Sequence, residues 1–395
     1  MLHEKSPPHD VILVANGPGE VAGWAVPLAR ALRSLGSSEK VPLRLSLILP
    51  PCQFSTGRER DVAASLNLFD RIEGPWDCLK VIAGLKRFPV GHRACLVHLG
   101  GDLWYSQMLS RRLNVPAFAY VETPLVARRH RPFRRLFVPT APLAKELGES
   151  GVPEAKIRVV GDLRADALSG SLARSESRSR GSVVMLTGSR AQSFLWLLPF
   201  FLEVAKTIKQ ARPEVSLSLP ISPFLPPRLV EEALRKEEKT LKDTGIIVVE
   251  GGRWDLLASA ELALTIPGTN TLELSMLGIP MIVVLPLQEP GRIPLEGLLE
   301  WVGRVPGIGP WIKWVAIRRY IRRKRFVALP NLLAGRKIVP EMIGPLSPGE
   351  VAGEALRWLE DEEGRRNMAE ALRNLHPEGG GAAMRIAQEV LGRDG

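Results

Sequence analysis

Three kinds of turn in this chain place glycine beside side chains that can hold an anion or move a proton. The first is Gly268-Thr269-Asn270-Thr271-Leu272-Glu273. Unpaired backbone N–H groups at a helix start suit an anion, and Glu273, one turn in, suits a pair of sugar hydroxyls. The second is Thr187-Gly188-Ser189-Arg190, whose arginine can grip a phosphate through two parallel hydrogen bonds. The third kind carries a carboxylate: Glu20 in Asn16-Gly17-Pro18-Gly19-Glu20, and Asp102 after Gly100-Gly101. A carboxylate so placed can take a proton from a hydroxyl. Each turn also has a plainer use. Asp102 can cap the helix that follows it. Gly17 and Gly19 can serve a tight turn, and Arg190 and Glu273 can be solvated side chains.

These turns need elements that present them. Residues 262–266 and 281–285 are apolar runs of strand length around a short helix that stops at Gly278 and Pro280. That pattern reads as a βαβ unit. Upstream, strands are expected at 10–15, 43–49, 93–99, 117–121, 136–139 and 157–160, alternating with helices such as 103–113. The alternation restarts at 182–186, with a helix over 192–211, strands at 215–221 and 246–249, and a charged helix at 229–243. Strands alternating with helices predict doubly wound parallel sheets. The run 170–181 is rich in Ser, Gly and Arg and reads as a linker. The expected organisation is therefore an N-terminal Rossmann-like domain over 1–175, a second domain over 182–345, and helices over 346–395 that pack back toward the first. The opening loop is not GxGxxG, so it carries no dinucleotide fingerprint.

Length and composition fit a two-domain globular protein: 395 residues, 45% apolar and 24% charged. No apolar run is long enough to span a bilayer, and no secretory signal is expected at the N-terminus. The three cysteines and six histidines show no metal-ligand spacing, so no metal is expected. The net charge of +11 predicts an anionic partner. Much of that charge falls in 292–325, where Trp301, Trp311 and Trp314 precede Lys313, Arg318, Arg319, Arg322, Arg323, Lys324 and Arg325 closely or overlap them. Tryptophan beside a cationic face fits an element lying on an anionic membrane surface. No nucleic-acid module is recognisable, so nucleic acid is not an expected partner.

Residues 267–284 (PGTNTLELSMLGIPMIVV) and 327–343 (VALPNLLAGRKIVPEMI) resemble the carboxyl-terminal half of the lipid-A-disaccharide synthase family. The weaker matches are GEVAG (19–23), YVETP (120–124), VGDLRADAL (160–168) and TGSR (187–190). The resemblance implies the GT-B fold, two Rossmann-like parallel-sheet domains facing across a cleft. It implies an inverting transfer of 2,3-diacylglucosamine from UDP to 2,3-diacylglucosamine 1-phosphate, forming the lipid A disaccharide and releasing UDP. The only cofactor-like ligand implied is the UDP-sugar donor. The implied location is cytoplasmic, peripheral on the inner face of the inner membrane, and a homodimer stays open. By the same resemblance Gly268, Thr269 and Glu273 would hold the UDP. Gly188, Ser189 and Arg190 would meet its phosphates, and Asn331 and Arg336 would complete the donor pocket. Asp102 is the favoured general base, with Glu20 second.

Two departures fall on the acceptor side. Trp24 stands where the family's first loop ends in an acidic residue. Glu122 and the basic run 128–135 replace an aromatic segment. The alternatives are a related GT-B enzyme acting on another UDP-sugar or glycolipid, or a non-catalytic membrane-surface protein that binds a nucleotide sugar.

Overall fold

The computed structural model describes residues 8–53, 55–172, 181–250, 253–288, 326–376 and 379–392. The chain divides into two units, Met1–Ser169 with Glu378–Gly395, and Gly170–Pro377.

The first unit holds seven strands: β1 His9–Val14, β2 Leu43–Ile48, β3 Arg71–Glu73, β4 Ala94–His98, β5 Ala117–Tyr120, β6 Phe133–Val138 and β7 Ile157–Val159. Their order across the sheet is β3-β2-β1-β4-β5-β6-β7, and every pair is parallel. Central strands of a parallel sheet are covered on both faces, so they read as unbroken apolar runs. Val11, Ile12, Leu13 and Val14 are all buried for this reason. The helix Val26–Ser38 turns Leu28, Ala29 and Leu32 inward. Ahead of it, Val21–Ala25 is wound wider than an α-helix, and the Val26 N–H bonds the Val21 carbonyl. Pro27 has no N–H with which to close an α-turn onto Gly23.

The second unit holds six strands: β8 Ser182–Leu186, β9 Ser216–Ile221, β10 Ile247–Glu250, β11 Leu262–Thr265, β12 Met281–Pro286 and β13 Glu341–Gly344. Their order is β10-β9-β8-β11-β12-β13, again parallel throughout. The long helix Ala191–Ala211 covers one face, sending Phe194, Leu198, Phe201 and Ile208 into a core shared with β8, β9 and β11.

In both sheets the strand order reverses beside the first strand, between β1 and β4 and between β8 and β11. Loops leaving the carboxyl ends of such neighbours diverge, and the crevice between them is where open α/β sheets bind ligands.

Two strands lie beyond the sequence expectation. β3 is three residues, two of them charged, and β13 follows a proline, so neither shows an apolar run. The sequence grouped 346–395 as one set of helices, whereas the structure divides it. Pro348–Glu360 and Glu362–Arg373 lie in the second unit, where Arg365 is ion-paired with Glu261 and Ser275 meets His376 at 2.8 Å. Ala382–Val390 lies in the first unit. There the Asp166 carboxylate accepts from the Gly381 and Ala383 amides. Most of the expected linker and all of the Trp- and Arg-rich stretch 292–325 lie outside the described residues.

Candidate functional site

In the second unit, β8 runs into Thr187-Gly188-Ser189-Arg190 and then the helix Ala191–Ala211. Gly188 has φ +87°, a conformation that glycine adopts without strain. A methyl group there would come within 3.0 Å of Ile266 Cδ1. Ile266 belongs to the turn after β11, so this turn and the one before Ala191 touch. Trp196 and Leu197 lie beneath, packed with Ile266, Leu285 and Leu287. Arg190 stands at the cap position of the long helix, half-buried.

Gly268 and Thr269 are exposed at the next corner. Gly268 has φ +146°, and a methyl group on it would meet nothing within 4 Å. The glycine is required by the backbone, and the space over it is open. Thr271 locks the corner by donating to the Gly268 carbonyl at 2.7 Å. Glu273, 7% exposed, sits in the first turn of the helix Asn270–Met276. That helix is buried on every side because both strands and the helix Glu362–Arg373 surround it.

The helix Leu329–Ala334 packs against Asn270–Met276, which brings Asn331 into the same neighbourhood as Glu273. The expected ligand-binding part for Asn331 needs correcting. Its side chain is 0% exposed. It donates to the Val339 carbonyl at 2.9 Å and to Glu341 Oε1 at 2.8 Å, and it accepts from the Ile338 and Val339 amides at 2.6 and 2.9 Å. An amide side chain has two donor hydrogens and two acceptor lone pairs, and these four bonds use them all. Asn331 therefore braces the return into β13. Arg336 stands on the surface just after Gly335, the left-handed residue that ends the helix.

In the first unit, the loop after β1 meets the loop after β4. Gly100 and Gly17 each leave room that the Glu20 side chain fills, and Gly101 leaves room for Asn16. Glu20 thus lies against the Gly100-Gly101 corner. Asp102 follows that corner and caps the helix Leu103–Leu113, accepting from the Trp104 amide at 2.8 Å. The same oxygen meets Arg129 Nη1 at 2.7 Å. Both expected carboxylates lie at the carboxyl ends of β1 and β4. Beneath them His98 is buried against Ser106 Oγ at 2.9 Å, and burial lowers its pKa to about 4.

Further along the same edge lies a cluster outside the sequence expectation. Arg164 is bidentate to Glu122, with Nη1 3.2 Å from Oε2. It also meets Asp162 Oδ2 at 2.9 Å, and its guanidinium stands 5.5 Å from the Trp24 ring centre. Trp24 in turn contacts Tyr120 edge to face, with ring centres 5.6 Å apart. Burial raises Glu122 to about 7; the Asp162 and Glu20 charges add to this, and Arg164 opposes it. The signal available in sequence was Glu122 directly after a strand and a charged D-x-R step at 162–164. Among the described residues, no group of three or more His, Cys, Asp or Glu is arranged to hold a metal ion.

Comparison with known proteins bears on the second unit first. Residues 176–289 match the family model described as lipid-A-disaccharide synthetase. The lipid-A-disaccharide synthase of Anaeromyxobacter dehalogenans is 32% identical over 217 residues, covering 54% of this chain and 50% of that protein. The enzyme of that name from Myxococcus xanthus is 30% identical over 223 residues, with the same shares. The chain spans about half the length of the curated relatives it matches. Among solved structures, the UDP-GlcNAc 2-epimerase of Neisseria meningitidis is similar with a TM-score of 0.57 at 15% identity, over 98% of this chain and 100% of that one. MurG of Acinetobacter baumannii is similar with a TM-score of 0.51 at 15% identity, over 97% and 99%. These likenesses give the fold, two parallel-sheet α/β units of the GT-B class. The chain is thus similar to that family over residues 176–289 and over about half the length of its curated relatives.

Proposed function

We propose that this chain is a glycosyltransferase of lipid A synthesis that moves an acylated glucosamine from UDP to a glycolipid acceptor. The observation that carries this reading is the meeting of two turns at the β8/β11 reversal, within the family-matched segment. There Gly188 packs on Ile266, and the space over Gly268 is open. UDP is the donor's leaving group in this reading. Amide groups at 188–190 and 268–269, with Arg190 and Arg336, neutralise the diphosphate as it departs. Glu273 takes ribose hydroxyls.

Transfer is a displacement with inversion. The acceptor oxygen forms a bond to the anomeric carbon while the bond to UDP breaks, and UDP keeps that electron pair. The acceptor's hydroxyl proton passes to a carboxylate, Asp102 first and Glu20 second. The acceptor expected from the family resemblance is 2,3-diacylglucosamine 1-phosphate.

The location proposed is a membrane surface. No helix among the described residues is long and apolar enough to cross a membrane. Leu85 and Leu125 of the first unit are 81% and 85% exposed, and Arg112 packs over Gly84 beside the first of them. Apolar side chains beside cations suit an anionic bilayer.

The test is incubation with UDP-2,3-diacylglucosamine and its 1-phosphate partner, read by mass spectrometry of the lipid and by UDP release. Disaccharide formation that falls about 10²- to 10⁴-fold in Asp102→Asn supports the reading and the base. UDP release without disaccharide favours a different acceptor. The cluster of Trp24, Glu122 and Arg164 is the specific reason to hold that second reading. No UDP binding at all removes the first.

A further inference from the structure

The two places where this chain departs from the family it resembles, Trp24 and Glu122, meet at one guanidinium. Arg164 stands over the Trp24 ring and is bidentate to Glu122. Three buried polar atoms have no hydrogen-bond partner among the described residues: Trp24 Nε1 and the Tyr120 hydroxyl within the cluster, and Asn16 Oδ1, whose side chain lies against Gly101, next to the Gly100 that the Trp24 ring approaches. Asn16 is 6% exposed and Tyr120 2%. The Tyr120 hydroxyl lies near the Leu163 amide but closes no hydrogen bond with it. A buried polar group left unpaired costs stability, so three beside one ion-paired cluster require an explanation. The Glu122 side chain keeps 27% of its exposure, which opens the cluster to solvent.

We infer that Asn16, Trp24, Tyr120, Glu122 and Arg164 form a binding subsite for the uncharged, hydroxyl-bearing face of a sugar. An indole N–H can only donate, an amide oxygen can only accept, and a phenol does both. Sugar hydroxyls do both, so one ring can pair all three orphans and donate to Glu122. The charge balance selects against phosphate. Glu122 and Asp162 already take the hydrogen bonds of the one guanidinium, and the Glu20 charge reaches Glu122 as well. An anion placed here meets like charge. A phosphorylated acceptor would therefore enter with its phosphate pointing away from Arg164. That the sugar is the acceptor rests on the glycosyltransferase reading; that a sugar binds here does not.

The experiment uses the full chain labelled with 5-fluorotryptophan, with the Trp24 fluorine resonance assigned through Trp24→Phe. N-acetylglucosamine, glucosamine 1-phosphate and UDP are titrated separately. N-acetylglucosamine is expected to shift the Trp24 resonance saturably, and glucosamine 1-phosphate to bind about tenfold more weakly. Glu122→Gln should weaken the sugar several-fold and leave UDP affinity unchanged. Tyr120→Phe removes an orphan hydroxyl without touching an ion pair, so it should fold at least as well and still weaken the sugar. A Trp24 resonance unmoved by the sugar, in protein that binds UDP, means that water alone pairs the orphans and overturns the subsite. Equal response to the phosphorylated sugar overturns the ligand class. A sugar response without UDP binding supports the subsite and removes the transferase reading instead.

Discussion

Asn331 Nδ2 stands 2.8 Å from Glu341 Oε1, and the same carboxylate accepts the Val327 and Ala328 amides. One buried amide and one carboxylate thus tie the start of the helix Leu329–Ala334 to β13. Asn331→Ala should destabilise the chain by about 3 kcal/mol, because it strands the Ile338 and Val339 amides as well as removing bonds. Asn331→Asp should be worse, since it buries a second carboxylate beside Glu341. Urea denaturation measures both. If Asn331→Ala kept full stability and lost only UDP affinity, Asn331 would be a ligand-binding residue after all.

Gly188 and Gly268 should respond to alanine for different reasons. At Gly188 the φ of +87° is joined by a contact with Ile266, so Gly188→Ala combines backbone strain with overpacking and should cost about 2–3 kcal/mol. Shortening Ile266 to valine removes Cδ1 and should return about 1 kcal/mol of that in a double-mutant cycle. At Gly268 the surroundings are open, so Gly268→Ala carries backbone strain alone, about 1–2 kcal/mol. Its methyl group should enter the open space proposed for the diphosphate and weaken UDP binding in calorimetric titration. A stability loss from Gly268→Ala with unchanged UDP affinity would place the diphosphate elsewhere.

Much of this fold is legible in the chain because both sheets are parallel. Buried parallel strands leave apolar runs such as 10–15 and 262–266, and the turns between them need glycine where φ is positive. β3 and β13 escape because short edge strands need no apolar run. The turns at 188–190 and 268–269 were legible as separate motifs; that Gly188 meets Ile266, just ahead of the second motif, depends on β8 and β11 being sheet neighbours, which no local pattern encodes. Asn331 was legible as part of a motif and misleading as to role, since sequence shows a polar residue but not its partners. The Glu122–Arg164 cluster was hidden because its members come from the ends of three different strands and loops.

The division of the C-terminal helices makes a prediction of its own. Glu389 is 8% exposed on its side chain and pairs with Arg135 and with Arg158, the latter at 2.8 Å. Glu389→Ala removes this shared carboxylate from both arginines. Each arginine keeps about a third of its exposure, so water offsets part of the loss, and about 2 kcal/mol is expected. Amide exchange should quicken over 382–390 and stay slow over 348–373, whose anchors are in the second unit. Equal quickening in both segments would mean that the helices act as one body.

Glu122 and His98 should oppose each other as pH changes. Glu122 is raised from its ordinary 4.5 to about 7 by burial, with the Asp162 and Glu20 charges adding to this and Arg164 opposing. A raised carboxylate favours the folded state at low pH, and that contribution is lost as pH rises from about 4.5 to about 7. His98 is lowered from 6.5 to about 4 by burial, with the Asp102 charge opposing. A lowered imidazole favours the folded state at high pH, and that contribution is lost as pH falls from about 6.5 to about 4. The windows overlap with opposite slopes, and each term can reach about 3 kcal/mol. Glu122→Gln should therefore unmask the histidine, giving stability that falls steadily on acidification from pH 6.5. His98→Gln keeps a partner for Ser106 and should do the reverse, gaining stability on acidification from pH 7. Urea denaturation across pH 4.5–8 reads both curves against the parent chain. Three parallel curves would show that neither group titrates differently in the folded and unfolded states.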